Sequence, residues 1–195
     1  MHAYDFLQRY GTLALVMQAD TPVGQAFAEQ LAKGGFDLLL PVTPGTDLSA
    51  LKARLEDHEG VNVSILAIPP DTPDFAEQLL SASQPKGIGL FVCCMMPGQV
   101  PGAGSMIASL TRVFMPTLEA RARSGLVLID YSGNAHSFAA TLSRELLTVD
   151  TDMLRIDVSS IAIDGPASAK PVAVQSIASL GDVPLLEIAE VASLH

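Results

Sequence analysis

Short apolar runs alternate along this chain with stretches whose apolar residues recur every three or four positions. Leu13–Met17, Asp37–Pro41, Val61–Ile68, Ile88–Cys93, Leu126–Asp130 and Leu154–Ile161 read as strands. Between them the spacing predicts helices over about 23–33, 47–57, 72–82, 104–123 and 135–148. Strands of this length separated by helices are βαβ units, because parallel neighbours need a crossover. Leu38–Leu40 and Leu126–Ile129 are continuously apolar, as strands must be when helices cover both faces of a sheet. The pattern therefore predicts an α/β protein with a three-layer, doubly wound parallel sheet, in which residues 1–195 form one domain. Gly34-Gly35 supplies a left-handed cap after the 23–33 helix. The last apolar stretch, Val183–Val191, reads as an edge strand or a short helix.

With 195 residues, 49% hydrophobic and 16% charged, the chain is long and apolar enough to bury a sizeable core. Its formal charge of -10, with no run of Lys or Arg, opposes binding to nucleic acid or to anionic membrane surfaces. No basic segment followed by a long apolar stretch opens the chain, and the apolar runs are too short to span a bilayer. Cys93 and Cys94, the two cysteines, are adjacent, which does not suit an ordinary structural disulfide; a reducing, cytoplasmic setting is expected. No Cys or His pair has metal-ligand spacing, and Asp20, Asp71 and Asp164 read as caps and turn residues, so no metal is expected.

Leu13–Met17 leads through Gln18-Ala-Asp-Thr-Pro-Val-Gly24 into a helix, the strand–turn–helix unit that cradles a pyrophosphate in dinucleotide-binding proteins. Together with Arg9-Tyr10-Gly11, Gly87–Val92, Thr111–Pro116, Ser143–Leu146 and Ile156–Val158, this order of segments resembles the short-chain dehydrogenase/reductase family over roughly residues 5–166. Within the family it is similar to the branch of hydroxysteroid and 3-ketoacyl reductases. The resemblance implies a Rossmann-like fold, an NAD(P) cofactor and carbonyl–hydroxyl chemistry. It also exposes departures. The family's T-G-x-x-x-G-I-G turn corresponds here to Met17, Gln18, Pro22, Val23 and Gly24, and only the last glycine survives. Gln18 puts a side chain where the backbone of a glycine would approach the phosphates, and Pro22 has no N–H to offer. Pro41-Val-Thr-Pro44 follows the second strand without the charge that reads the adenosine ribose, Ile68 replaces an acidic residue beside the adenine, and Cys93-Cys-Met-Met96 replaces the family's N-N-x-G. Gly24, Gln18 and Cys93 thus mark a vestigial cofactor site.

The resemblance also implies a catalytic Ser, a Tyr and a Lys four residues later, whose charge lowers the Tyr pKa. Ser132 stands at the serine position and His136 near the lysine position, but Tyr131 belongs to the strand end and the loop that should carry the Tyr is largely missing. Ser132, Tyr131 and His136 are the candidate acid–base residues; as a bland alternative, Ser132-Gly-Asn134 caps the next helix and His136 sits in its first turn. Likewise Cys93 is either a reactive thiol at a strand end or buried apolar filler, with Met17, Met95 and Met96 packing where a nicotinamide would lie. A Ser–His–Asp hydrolase is discounted because Tyr131-Ser-Gly133 lacks nucleophile-elbow character.

In relatives two long helices pair across a two-fold axis. The corresponding segments, about 104–123 and 135–148, are apolar over more than one stripe, and Ala108, Ser109, Ala139 and Ala140 allow close helix approach. The expected function is a short-chain dehydrogenase-like pseudoenzyme without a cofactor, acting as a subunit, scaffold or regulator in a homodimer or in a heteromer with a related protein. The alternatives are an NAD(P)-dependent oxidoreductase with an atypical site and a small-molecule-binding protein that uses the vacated cleft.

Overall fold

The computed structural model describes residues 3–69, 71–84, 86–95, 103–121, 123–131, 151–158, 162–180 and 186–188. Its strands are β1 (Leu13–Val16), β2 (Asp37–Val42), β3 (Val63–Ala67), β4 (Leu90–Met95), β5 (Ser124–Asp130), β6 (Thr151–Asp157) and β7 (Leu186–Ile188). They form one sheet in the order β3-β2-β1-β4-β5-β6-β7, with every neighbouring pair parallel. The described helices are α1 (Ala3–Tyr10), α2 (Pro22–Lys33), α3 (Ser49–Glu59), α4 (Phe75–Ser83), α5 (Ala103–Glu119) and α6 (Pro166–Ser179).

Alternation along each strand sends side chains to two separate cores. Ala14 and Val16 of β1, Leu38 and Leu40 of β2, Val92 of β4 and Val127 and Ile129 of β5 meet α1, α2, α3 and α6 on one face. Leu13, Leu15, Leu39, Phe91, Cys93, Leu126 and Leu128 meet α4 and α5 on the other. This is the predicted three-layer, doubly wound, Rossmann-like sheet. Strand order reverses between β1 and β4, and the crevice outside the carboxyl ends of those strands is where this architecture binds ligands.

Several boundaries differ from the sequence reading, each for a local reason. Helix α1 is eight residues long and anchors its Phe6 and Tyr10 under the sheet; so short a segment has little periodicity to read. Helix α6 was hidden by its prolines: Asp164-Gly-Pro166 is the turn that enters it, with Pro166 in the first turn, and Pro171 sits inside it. Strands β5 and β6 begin earlier than expected, because Ser124, Thr151 and Asp152 open them with polar side chains; Ser124 Oγ and Thr151 Oγ1 lie 2.7 Å apart across the pair. Helix α5 ends at Glu119 rather than near residue 123. Pro41 stands at the last rung of the β1 ladder, where its nitrogen faces Val16, the final residue of β1, so a single bond at the strand's end is forgone. The alternatives left for the last apolar stretch resolve to a strand at Leu186–Ile188, parallel to β6. The helix expected at 135–148 lies outside the described residues.

Candidate functional site

Beyond Val16 the chain bonds once more to the switch-point strand, Met17 N–H donating to the Val92 carbonyl at 2.9 Å, and then turns sharply. Gln18 makes the turn at φ 54°, in the left-handed region that glycine adopts freely and other residues at a cost. The turn thus keeps the backbone path of a glycine turn while carrying a glutamine. Thr21 closes it: its N–H and its Oγ1 each donate to the Gln18 carbonyl at 2.9 Å, while Oγ1 accepts from Gly24 N–H at 3.1 Å.

A helix N-terminus attracts anions through the donors its own turn leaves unpaired. In α2 the Thr21 N–H is bonded to Gln18, Pro22 has none, Gly24 N–H is capped by Thr21, and Gln25 N–H donates to the Thr21 carbonyl at 2.9 Å. Val23 is left as the first-turn donor with no partner among the described residues. Gly24 answers to the same turn. A Cβ there would stand 2.1 Å from the Gln18 carbonyl oxygen, so the loop's own backbone requires the glycine. The third glycine of a dinucleotide fingerprint serves this packing role, whereas the first two serve the ligand.

The Met17–Val92 bond sets the turn beside β4, and Gln18 and Gly24 meet within the turn, but the Cys93 side chain enters the core on the face opposite α2. Cys93 is 2% exposed in the α4/α5 core, and burial pushes its thiol up to about 12. At neutral pH it is a packed hydrophobe, as the bland reading has it. Met17 is buried in the same core. Tyr131 is half-buried against the opposite core, with Ile129, so it does not converge with Cys93. Ser132, His136 and Met96 lie outside the described residues. On α5, Leu110, Phe114 and Leu118 are buried, while Ser109, Arg112 and Pro116 are exposed.

One pair at this end of the sheet escaped the sequence reading. Arg155 Nη2 of β6 donates to Asp130 Oδ2 of β5 at 3.0 Å, with side-chain exposures of 9% and 0%. Each lies on the strand face that continues Leu128 and Met153 toward α4 and α5. The signal was available: Asp130 ends a strand that is apolar from Leu126 to Ile129, and Arg155 stands between Leu154 and Ile156 inside another. The two opposite charges lie against each other in the core. Among the described residues no group of three or more His, Cys, Asp or Glu side chains gathers in a way that could hold a metal ion. No described helix is long and apolar enough to cross a membrane.

No family model matches the chain. In sequence it is 28% identical to the 7β-hydroxysteroid dehydrogenase of Clostridium sardiniense over 93 residues, which is 47% of this chain and 36% of that enzyme. The matched stretch therefore spans little more than a third of the curated relative. In fold it superposes on a 7β-hydroxysteroid dehydrogenase with a TM-score of 0.73 at 16% identity, covering 96% of this chain and 89% of that one. An alcohol dehydrogenase from Thermococcus sibiricus, complexed with 5-hydroxy-NADP, matches with a TM-score of 0.66 at 16% identity, covering 91% of this chain and 94% of that one. The likeness to short-chain dehydrogenases/reductases thus has two supports, a curated relative over 47% of the sequence and solved structures over nearly all of the fold.

Proposed function

We propose that this chain is a short-chain dehydrogenase-like pseudoenzyme, a Rossmann-like subunit, scaffold or regulator that does not carry out hydride transfer. The observation that carries this reading is the closed turn at Gln18–Gly24. Thr21 engages the donors a pyrophosphate would use, Pro22 removes another, and Gln18 occupies the place of a glycine. These residues fit a dinucleotide phosphate poorly. Cys93, buried and protonated, adds no reactive group beside the turn. Assembly through the helical segments about 104–123 and 135–148 belongs to the same proposal. It would join the chain to a second copy or to a related protein.

An NAD(P)-dependent oxidoreductase is the second reading, favoured by the dehydrogenases that the chain resembles in sequence and fold. Calorimetry with NADH and NADPH up to millimolar concentration, beside thermal shift, separates the two, since a ligand of the folded state raises the melting point. The pseudoenzyme reading expects no heat of binding and no shift. Binding tighter than about 100 μM, worth roughly 5.5 kcal/mol, would overturn it and make hydroxysteroid and ketone substrates the next assay.

A further inference from the structure

Strand β3 forms one margin of the sheet, and a strand at a margin presents unpaired N–H and C=O groups on which another strand can grow. Which groups face outward follows from the ladder. Leu38 N–H donates to the Asn62 carbonyl at 2.8 Å and Ile68 N–H to the Val42 carbonyl at 3.0 Å, so the even-numbered residues of β3 face β2. Val63, Ile65, Ala67 and, past the strand, Pro69 face outward.

Helix α3 lies alongside and reaches the first of these. Lys52 Nζ donates to the Val63 carbonyl at 2.6 Å, Val63 N–H donates to Glu56 Oε1 at 3.0 Å, and Lys52 Nζ stands 3.4 Å from Glu56 Oε1. One ion pair, spaced i,i+4 on a helix, thus satisfies both outward groups of one edge residue with both of its charges. At the other end Pro69 has no N–H to offer. Between the two blocked positions the outward groups of Ile65 and Ala67 remain, too short a run for a stable strand pair.

We infer that the Lys52–Glu56 pair is an edge guard, which together with Pro69 keeps β3 from pairing with the β3 of a second copy of this chain. The inference is independent of whether the crevice holds a cofactor. A surface ion pair contributes little to stability, yet here its two ends carry the complementary hydrogen-bonding groups that an incoming strand would bring. The pair's value lies in occupying the edge.

The test is the full chain carrying Lys52→Ala and Glu56→Ala, followed by sedimentation velocity over a wide concentration range, with circular dichroism to verify folding. The expected result is a species of twice the parent's mass that grows with concentration and disappears when Ile65→Pro is added. That proline removes an outward N–H and leaves the β2 ladder whole. A folded double variant that sediments like the parent at every concentration would overturn the inference, even if its melting point is lower, because a mere tether between α3 and β3 would give that result. If the double variant does not fold, Lys52→Met, which frees only the Val63 carbonyl, is read by the same two outcomes.

Discussion

The two ends of the sheet use their polar residues differently. At the amino ends of the strands, side chains cross-link separate elements. Tyr10 Oη of α1 donates to Asp152 Oδ2 of β6 at 2.6 Å, and Arg9 and Arg123 approach the same oxygen at 3.2 and 3.4 Å. Arg121 donates to the Lys86 and Gly87 carbonyls at 2.7 Å each. Asp37 accepts from Asn62 N–H and Nδ2 at 2.7 and 2.9 Å and pairs with Lys86. At the carboxyl ends, where this architecture binds ligands, the turn bonds within 18–25, and Asp130 holds Arg155 in the core. Polar side chains at the far end thus join separate elements, whereas the Gln18–Gly24 turn at the ligand end bonds within itself.

The largest expected effect tests the buried ion pair. Arg155→Met takes the guanidinium away from the buried Asp130 carboxylate and should cost about 3–5 kcal/mol in chemical denaturation, while the double change Asp130→Leu with Arg155→Met should recover most of it. A loss below about 1 kcal/mol would mean that water reaches the pair and that this end is open. Next comes Gly24→Ala, whose methyl would meet the Gln18 carbonyl. It should lower stability by about 2–3 kcal/mol, with no cofactor present, if the glycine serves the turn.

At the far end Asp37→Asn probes the cross-links through pH. Burial raises the Asp37 carboxyl, but donors from Lys86 and Asn62 outweigh it and hold the group below its ordinary 3.8. A carboxyl depressed in the folded state stabilises above its unfolded pKa, and that contribution is lost as pH falls below 3.8 through the folded value. The variant should lose about 1 kcal/mol at neutral pH and show a flatter acid limb in a stability–pH series; an unchanged limb would remove Asp37 from the network. The smallest effect is Gln18→Gly. Relief of the left-handed glutamine should outweigh the added freedom of the unfolded chain and raise stability by about 0.5–1 kcal/mol. A destabilising result would show that the Gln18 side chain holds the turn more strongly than its backbone strains it.

Much of the fold was legible because strands buried on both faces announce themselves as apolar runs. Leu38–Leu40 and Leu126–Ile129 needed no context to be recognised. The starts of β5 and β6 were not, since Ser124, Thr151 and Asp152 are polar for reasons that exist only across the strand pair. Helix α6 was masked by Pro166 and Pro171, which read as breakers locally; both stay exposed while Ala169, Val172 and Ala173 pack the helix into the core. At the candidate site the altered turn residues were visible one by one, and the burial of Cys93 was anticipated as the simpler alternative. The Asp130–Arg155 contact was not foreseen, although both charges stood in plain sight.

By itself the sequence determined the layered parallel architecture, because hydrophobic period and element length are properties of neighbours along the chain. It also determined the missing glycines of the turn. Only the tertiary structure decided where the remaining polar groups point. It sent Tyr131 and Cys93 to opposite faces, joined Asp130 to Arg155, and set Lys52 and Glu56 against the edge of β3. Hydrogen bonds and ion pairs depend on distances of about 3 Å between residues far apart in the chain, and no local pattern fixes those distances until the strands are in register.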